Sequence, residues 1–255
     1  MKNILKGILL ICLLISCTKD DNPDQDSNNP ANYPYLQQVG YSAKDILSST
    51  TFSNIYIEVM YVDGFKPSDQ ALNNLRNFIN QRTFKSTVTI EKKLISTPTA
   101  AAYSINDIRK IEDDNRSKFS SGNQIVIVAL FLNGESSNNS GNSVVLGTAY
   151  RNTSFVIFEE SIHSFSNSPF KPAREVLESA VILHEFCHLL GLVNLGTAMV
   201  NNHEDSAHSA HCTTQNCLMY YKVENGNGVI DMISGGQIPQ LDSFCIGDLK
   251  ANGGK

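Results

Sequence analysis

Apolar residues recur along this chain in two periods. Ile55-Tyr56-Ile57-Glu58-Val59-Met60-Tyr61-Val62 is rich in β-branched and aromatic residues and predicts a strand. Ser68 can then cap a helix in which Leu72, Leu75, Phe78 and Ile79 return at helical spacing. Thr87–Ile95 goes back to alternation, with Val88, Ile90 and Leu94 as its apolar members, and predicts a second strand. Ser104–Phe119 carries Ile105, Ile108 and Ile111 among charges, an amphipathic helix. The unbroken run Ile125–Leu132 suits a central strand covered on both faces. A Gly/Ser/Asn loop, 133–142, leads to two short strand candidates, Val144–Ala149 and Ser154–Phe158, close enough to form a hairpin. The last strong pattern is a helix from Pro172 to Leu190, with Val176, Leu177, Ala180, Val181 and Leu183 on its apolar face. Beyond Gly191 the chain turns polar and irregular. This order predicts an α/β (α+β) fold: a twisted mixed sheet backed by one helix, then a loop-rich C-terminal part.

The N-terminus stands outside that pattern. Lys2 and Lys6 precede the apolar run Ile8–Ile15, which is shorter than the roughly 20 residues of a spanning helix and matches a secretory signal. Leu14-Ile15-Ser16-Cys17 resembles a bacterial lipobox, which implies lipidation (palmitate among the acyl groups) of Cys17 as the new N-terminus and a membrane anchor. Lys19-Asp20-Asp21 resembles the acidic export tag of surface lipoproteins. Residues 17–35, rich in Asp, Asn, Pro and Ser, read as a flexible tether. The expected organisation is therefore a signal at 1–16, a tether at 17–35 and one domain at 36–255, divided at 191/192. The expected location is the bacterial outer membrane or cell surface, with the periplasmic face left open.

Losing residues 1–16 removes two lysines and no acid, leaving 18 basic against 25 acidic side chains, a formal charge of −7. That balance argues against a nucleic-acid partner. Cys187, Cys212, Cys217 and Cys245 remain for an oxidising setting where disulfides persist.

The chemistry lies in His184-Glu185-Phe186-Cys187-His188-Leu189-Leu190-Gly191. At 3.6 residues per turn the two histidines share one helix face, so both imidazoles can bind one Zn²⁺. Glu185 can reach a zinc-bound water as general base and return its proton to a leaving amine. Zinc needs a third protein ligand, and His203, Glu204, Asp205, His208 and His211 all lie downstream. An acidic choice would make the site His₂-carboxylate.

From His184 to Tyr221 the chain resembles the metzincin zinc peptidases. His211-Cys212-Thr213-Thr214-Gln215-Asn216-Cys217-Leu218-Met219 is similar to the His-Cys-x4-Cys-x-Met element of archaemetzincins. The resemblance implies a metzincin-like fold, His211 as third ligand, Met219 in the turn beneath the metal, and Tyr221 assisting the tetrahedral intermediate. Tyr220 and Tyr221 could equally be core aromatics. The chain departs from the compact metzincin motif, with Asn194 where the third histidine would stand. Archaemetzincins carry later cysteines for a second, structural zinc; with Cys245 alone, no second site is expected here, and Cys212–Cys217 is expected as a disulfide bracing His211. The chain is also similar to bacterial lipoproteins labelled membrane metalloproteases. Together these readings imply a zinc-dependent endopeptidase acting on protein or peptide. The alternative is a surface-anchored, non-catalytic binding or adhesion lipoprotein whose zinc site is structural or vestigial, betrayed by a fourth protein ligand such as His203 or Asp205.

Overall fold

The computed structural model describes residues 34–255 except 98–99, 142, 167–170 and 234. The signal segment, Cys17 and most of the tether lie outside the described residues. In chain order the elements are α1 (Ala43–Leu47), β1 (Asn54–Val62), α2 (Asp69–Arg82), β2 (Thr87–Ile95), β3 (Ala102–Tyr103), α3 (Ile105–Asn115) and β4 (Gln124–Leu132). They continue with β5 (Glu135–Ser136), β6 (Gly147–Arg151), β7 (Ser154–Phe158), α4 (Glu159–Ser164), α5 (Arg174–Leu189), a 3-10 turn at Tyr221–Glu224, α6 (Gly226–Ile233) and α7 (Ser243–Ala251). None of the helices among the described residues is long and apolar enough to cross a membrane.

Five strands form a mixed sheet in the order β2-β1-β4-β7-β6. β1 is parallel to β2 and β4, β4 is parallel to β7, and β6 closes the row antiparallel to β7. Parallel neighbours need crossovers: α2 supplies the one from β1 to β2 and α3 lies on the return to β4, whereas β4 reaches β7 through β5, a long loop and β6. The unbroken apolar run of β4 has the predicted consequence. Ile125, Ile127 and Phe131 face a core shared with α2 and α5, while Val128, Leu130 and Leu132 face a second core shared with α3. Strand β2, by contrast, has a largely exposed polar pattern (Lys92 and Lys93 at its centre) suited to a sheet edge.

Local chemistry sets the ends. Ser68 caps α2 by accepting the Ala71 N–H, and Ser104 caps α3 in a reciprocal box with Asp107. Helix α3 stops at Asn115, short of the predicted Phe119: Arg116 leaves helical geometry and lies over the Tyr35 ring, and the Ser117 and Lys118 N–H groups donate to buried Glu58 instead of continuing the helix. Tyr35 is thus already part of the folded body, as is Pro34, whose carbonyl accepts from Asn152. The β6/β7 hairpin starts at Gly147 rather than Val144, since residues 144–146 pair instead with 224–226. The C-terminal part is less irregular than its composition suggests. Helix α7 forms on an Asp242 cap, and α6 forms in spite of Gly226 and Gly228.

Helix α5 is buried on every side from Leu177 to Leu189, as a helix between a sheet and a second layer must be. It packs on α2 through Phe78 and Phe186 and through a hydrogen bond from Asn74 to Ser179. Gly191 (φ +75°) ends it in the left-handed turn that glycine favours. A Cβ there would lie 2.5 Å from the Thr197 backbone nitrogen.

Candidate metal centres

One helical turn separates His184 from His188 on α5, and their Nε2 atoms stand 3.1 Å apart. The backbone decides which nitrogen each ring offers. His184 Nδ1 donates to the Leu218 carbonyl at 2.7 Å, leaving the Nε2 lone pair free. His211 Nδ1 likewise donates to the Ser209 carbonyl at 2.9 Å. Ring centroids of His211 lie 5.3 Å from His184 and 5.2 Å from His188. Ala210, at φ +65°, makes the turn that delivers this third imidazole. Burial holds the His184 pKa well below its usual value, helped by His188 and His211. Burial and His211 lower that of His188 to about 3. Both rings are therefore neutral at physiological pH, the state that ligates a metal.

Glu185, the residue after His184 on α5, faces β6. Its Oε2 accepts the Ala149 N–H at 2.8 Å, where β6 would otherwise offer a free edge. Its Oε1 is buried without a hydrogen-bond partner, as is His211 Nε2. Burial raises the carboxyl's pKa well above the ordinary range, the charge of Glu224 raises it further, and the Ala149 N–H opposes both. Buried polar atoms left without a hydrogen bond cost about 1–3 kcal/mol each, so each marks a place where a partner would be gained. His184, His188, His211 and Glu224 each bring a ligand atom within 4.8 Å of the others. Three imidazole nitrogens with a carboxylate beside them fit zinc.

The other candidates for third ligand are engaged elsewhere. His208 donates to Asp205 and stacks on Tyr221 with ring centroids 3.6 Å apart. Glu204 accepts from Asn194, Ser209 and Ala210, holding the long loop in shape. Asp205 also accepts from Ala207. Tyr221 and Glu224 line a cleft of about 320 Å³ with His211, Ser143 and Val145, so Tyr221 is not a core aromatic. Met219 is fully buried, and its carbonyl accepts the Cys212 N–H next to His211. Glu224 escaped the sequence reading. Nothing in its neighbours marks it, because only the 3-10 turn after Met219 swings it toward the imidazoles.

Two sequence expectations are corrected. The Cys212–Cys217 disulfide is not formed, and all four described cysteines are free. The reason is a competing set of partners: Cys217 faces Cys245 at 3.6 Å, and Cys212 faces His203 Nδ1 at 3.3 Å. The expected absence of a second ligand cluster fails too, since His203, Cys212, Asp242 and Cys245 also place ligand atoms within 4.8 Å of one another. His203 Nε2 donates to buried Asp248 at 2.8 Å, which turns Nδ1 toward the sulfurs. Backbone N–H groups of Thr214, Met219 and Asp242 point at Cys212 or Cys217 sulfur, an arrangement that favours thiolates. Asp242 also accepts from Cys245 N–H, Thr214 and Cys212, and Cys217 Sγ stands beside the set, 3.6 Å from Cys245 Sγ. Sequence reasoning missed it because His203 lies in the long loop and Cys245 on α7, far apart along the chain.

No family model matches the chain, nor does any curated protein. Among solved structures it is similar to an archaemetzincin from Methanopyrus kandleri, with a TM-score of 0.53 at 15% identity over 78% of this chain and 96% of that one. An archaemetzincin from Archaeoglobus fulgidus, complexed with malonate, matches 76% of this chain and 99% of that one at 14% identity, with a TM-score of 0.44. The likeness to the Methanopyrus protein is one of fold: the mixed sheet, its covering helices and the predicted α/β architecture are those of an archaemetzincin.

Proposed function

We propose that this protein is a zinc-dependent peptidase, an endopeptidase that cleaves protein or peptide substrates. The observation that carries the reading is the convergence of ligand atoms of His184, His188, His211 and Glu224 within 4.8 Å of one another, two of them from the helix that also carries Glu185 with its buried, unpartnered Oε1. His184, His188 and His211 would hold the metal. Zinc, when bound, would polarise the scissile carbonyl and acidify a water molecule. Glu185 Oε1 takes the proton of the attacking water and returns it to the departing amine, while the Ala149 N–H keeps Oε2 in place. Tyr221, clamped flat against His208, would face the oxyanion from the cleft wall. His203, Cys212, Cys217 and Cys245 would hold a second, structural zinc with four protein ligands and no open position.

Replacing Glu185 by Gln should leave the zinc content unchanged and lower peptide turnover at least about a hundredfold. Retained turnover with zinc still bound would remove Glu185 from the mechanism. The lipobox-like segment supports a second part of the proposal, that acylated Cys17 anchors the enzyme to the bacterial outer membrane or cell surface, on either its outer or its periplasmic face. Cys17→Ser should move the protein from the membrane fraction to the soluble one, and an unchanged distribution would count against the anchor.

A second reading has one observation behind it. Glu224 brings a carboxylate to the three imidazoles, and a fourth ligand that never leaves would make the site structural. The protein would then be an anchored binding lipoprotein, and wild type and Glu185→Gln would be equally inert on peptide libraries.

A further inference from the structure

Glu224 separates those two readings. Its Oε1 is 3.5 Å from His211 Nε2 and its Oε2 is 3.9 Å from His184 Nε2. Ligand atoms that share one tetrahedral zinc lie about 3.3 Å apart, from bond lengths near 2 Å. The carboxylate therefore stands where a fourth ligand would, on the side of the imidazoles that opens to the cleft. We infer that Glu224 is an exchangeable fourth ligand of the metal held by His184, His188 and His211, and that it gives way to whatever enters the cleft. The inference rests on the zinc reading above.

Three features make the contact reversible. First, the Glu224 backbone is pinned and need not move: its carbonyl accepts the Leu146 N–H at 2.8 Å, and Gly226 N–H donates to the Val144 carbonyl at 2.9 Å. Asn225 adds a side-chain bond to Ser143 Oγ at 2.6 Å. Second, the side chain is 33% exposed, unlike the buried His184, and it forms part of the cleft wall, so rotation carries it into open space. Third, three neutral imidazoles leave both charges of a divalent ion uncompensated in a buried place. A nearby carboxylate is then favoured at rest but can be exchanged for a charged or polar newcomer. Glu185 cannot play this part, because Ala149 holds its Oε2 and its chemistry needs Oε1 free.

The consequence is a toll on binding. If Glu224 occupies the position nine-tenths of the time, only about a tenth of the molecules are open, and the apparent Kd of an incoming ligand rises about tenfold. Acetohydroxamate, a small bidentate zinc ligand, is the probe. It is titrated calorimetrically into the zinc-loaded, detergent-solubilised full chain, alongside Glu224→Gln and Glu224→Ala. Both variants should bind it at least about tenfold more tightly than wild type and lose zinc faster to a competing chelator. The isosteric Gln guards against a packing effect of Ala. Equal or weaker acetohydroxamate binding by the variants would overturn the inference. So would a failure of all three proteins to bind it with zinc in place, which would mark the site as permanently closed. His188→Ala tests the underlying zinc reading separately. If that change leaves the zinc content untouched, the three-histidine site is wrong and the role of Glu224 falls with it.

Discussion

A single missing side chain makes room for the Glu185 carboxylate. Gly147 opens β6, and a Cβ built on it would lie 2.8 Å from Glu185 Cγ, 2.9 Å from its Oε1 and 2.9 Å from Val181 Cγ1. Gly147→Ala should therefore push the carboxylate aside without unfolding the sheet. Because a shift of about 1 Å at a reacting group can cost on the order of a hundredfold, turnover should fall at least about tenfold while zinc content holds. Unchanged turnover would show that Glu185 has slack. Lys85 shows the same dependence on one residue far from the site. Its buried ammonium donates to the carbonyls of Asp45 and Ser48, each at 2.6 Å, and to that of Phe52. Lys85→Met would strand three acceptors at about 1–3 kcal/mol each, so urea unfolding should register a loss of about 3 kcal/mol or more.

At the scale of the element, α5 joins a structural N-terminal half to a chemical C-terminal half. Near its start, Glu178 accepts the Ser68 N–H at 3.0 and 3.2 Å, tying α5 to the cap of α2. Burial lifts its carboxyl pKa to about 8, and neighbouring Glu159 adds to the rise, against the Ser68 bonds and Arg174. The sign follows from linkage. Between about pH 4.5 and 8 the folded state keeps this proton and the unfolded chain does not, so stability falls as pH rises through that window. Glu178→Gln keeps an acceptor for Ser68 and has no proton to lose. Its melting temperature should match wild type near pH 4.5 and exceed it by about 5 °C or more at pH 8.5. A constant difference across that range would place the titration elsewhere.

Across the whole molecule, two ligand clusters share one segment. His211 serves the first and its neighbour Cys212 serves the second, so an ion among the cysteines would hold the third imidazole in place from behind. Two zinc ions per chain should be found by elemental analysis. Cys245→Ser should lose one ion and lower the melting temperature by about 10 °C or more, since a structural zinc contributes directly to folding. His188→Ala should lose the other ion with a smaller fall. One ion in wild type would contradict the second cluster.

Periodicity and one helical motif decided a good deal of this protein on their own. The β1, α2, β2 and β4 patterns, the hairpin and α5 follow from spacing alone, because strands and helices are short-range objects written in neighbouring residues. His184, Glu185 and His188 share an environment for the same reason: one turn of helix is enough to bring them together. What lies across loops was decided only by the fold. A chain of some twenty residues between Gly191 and His211 has no period, so its sequence could offer five candidate ligands but not choose among them. Glu224 beside the three imidazoles, Ala149 against the Glu185 carboxylate, and His203 beside cysteines more than thirty residues apart at their extremes are contacts between distant segments, set by packing and backbone hydrogen bonds that no local pattern records.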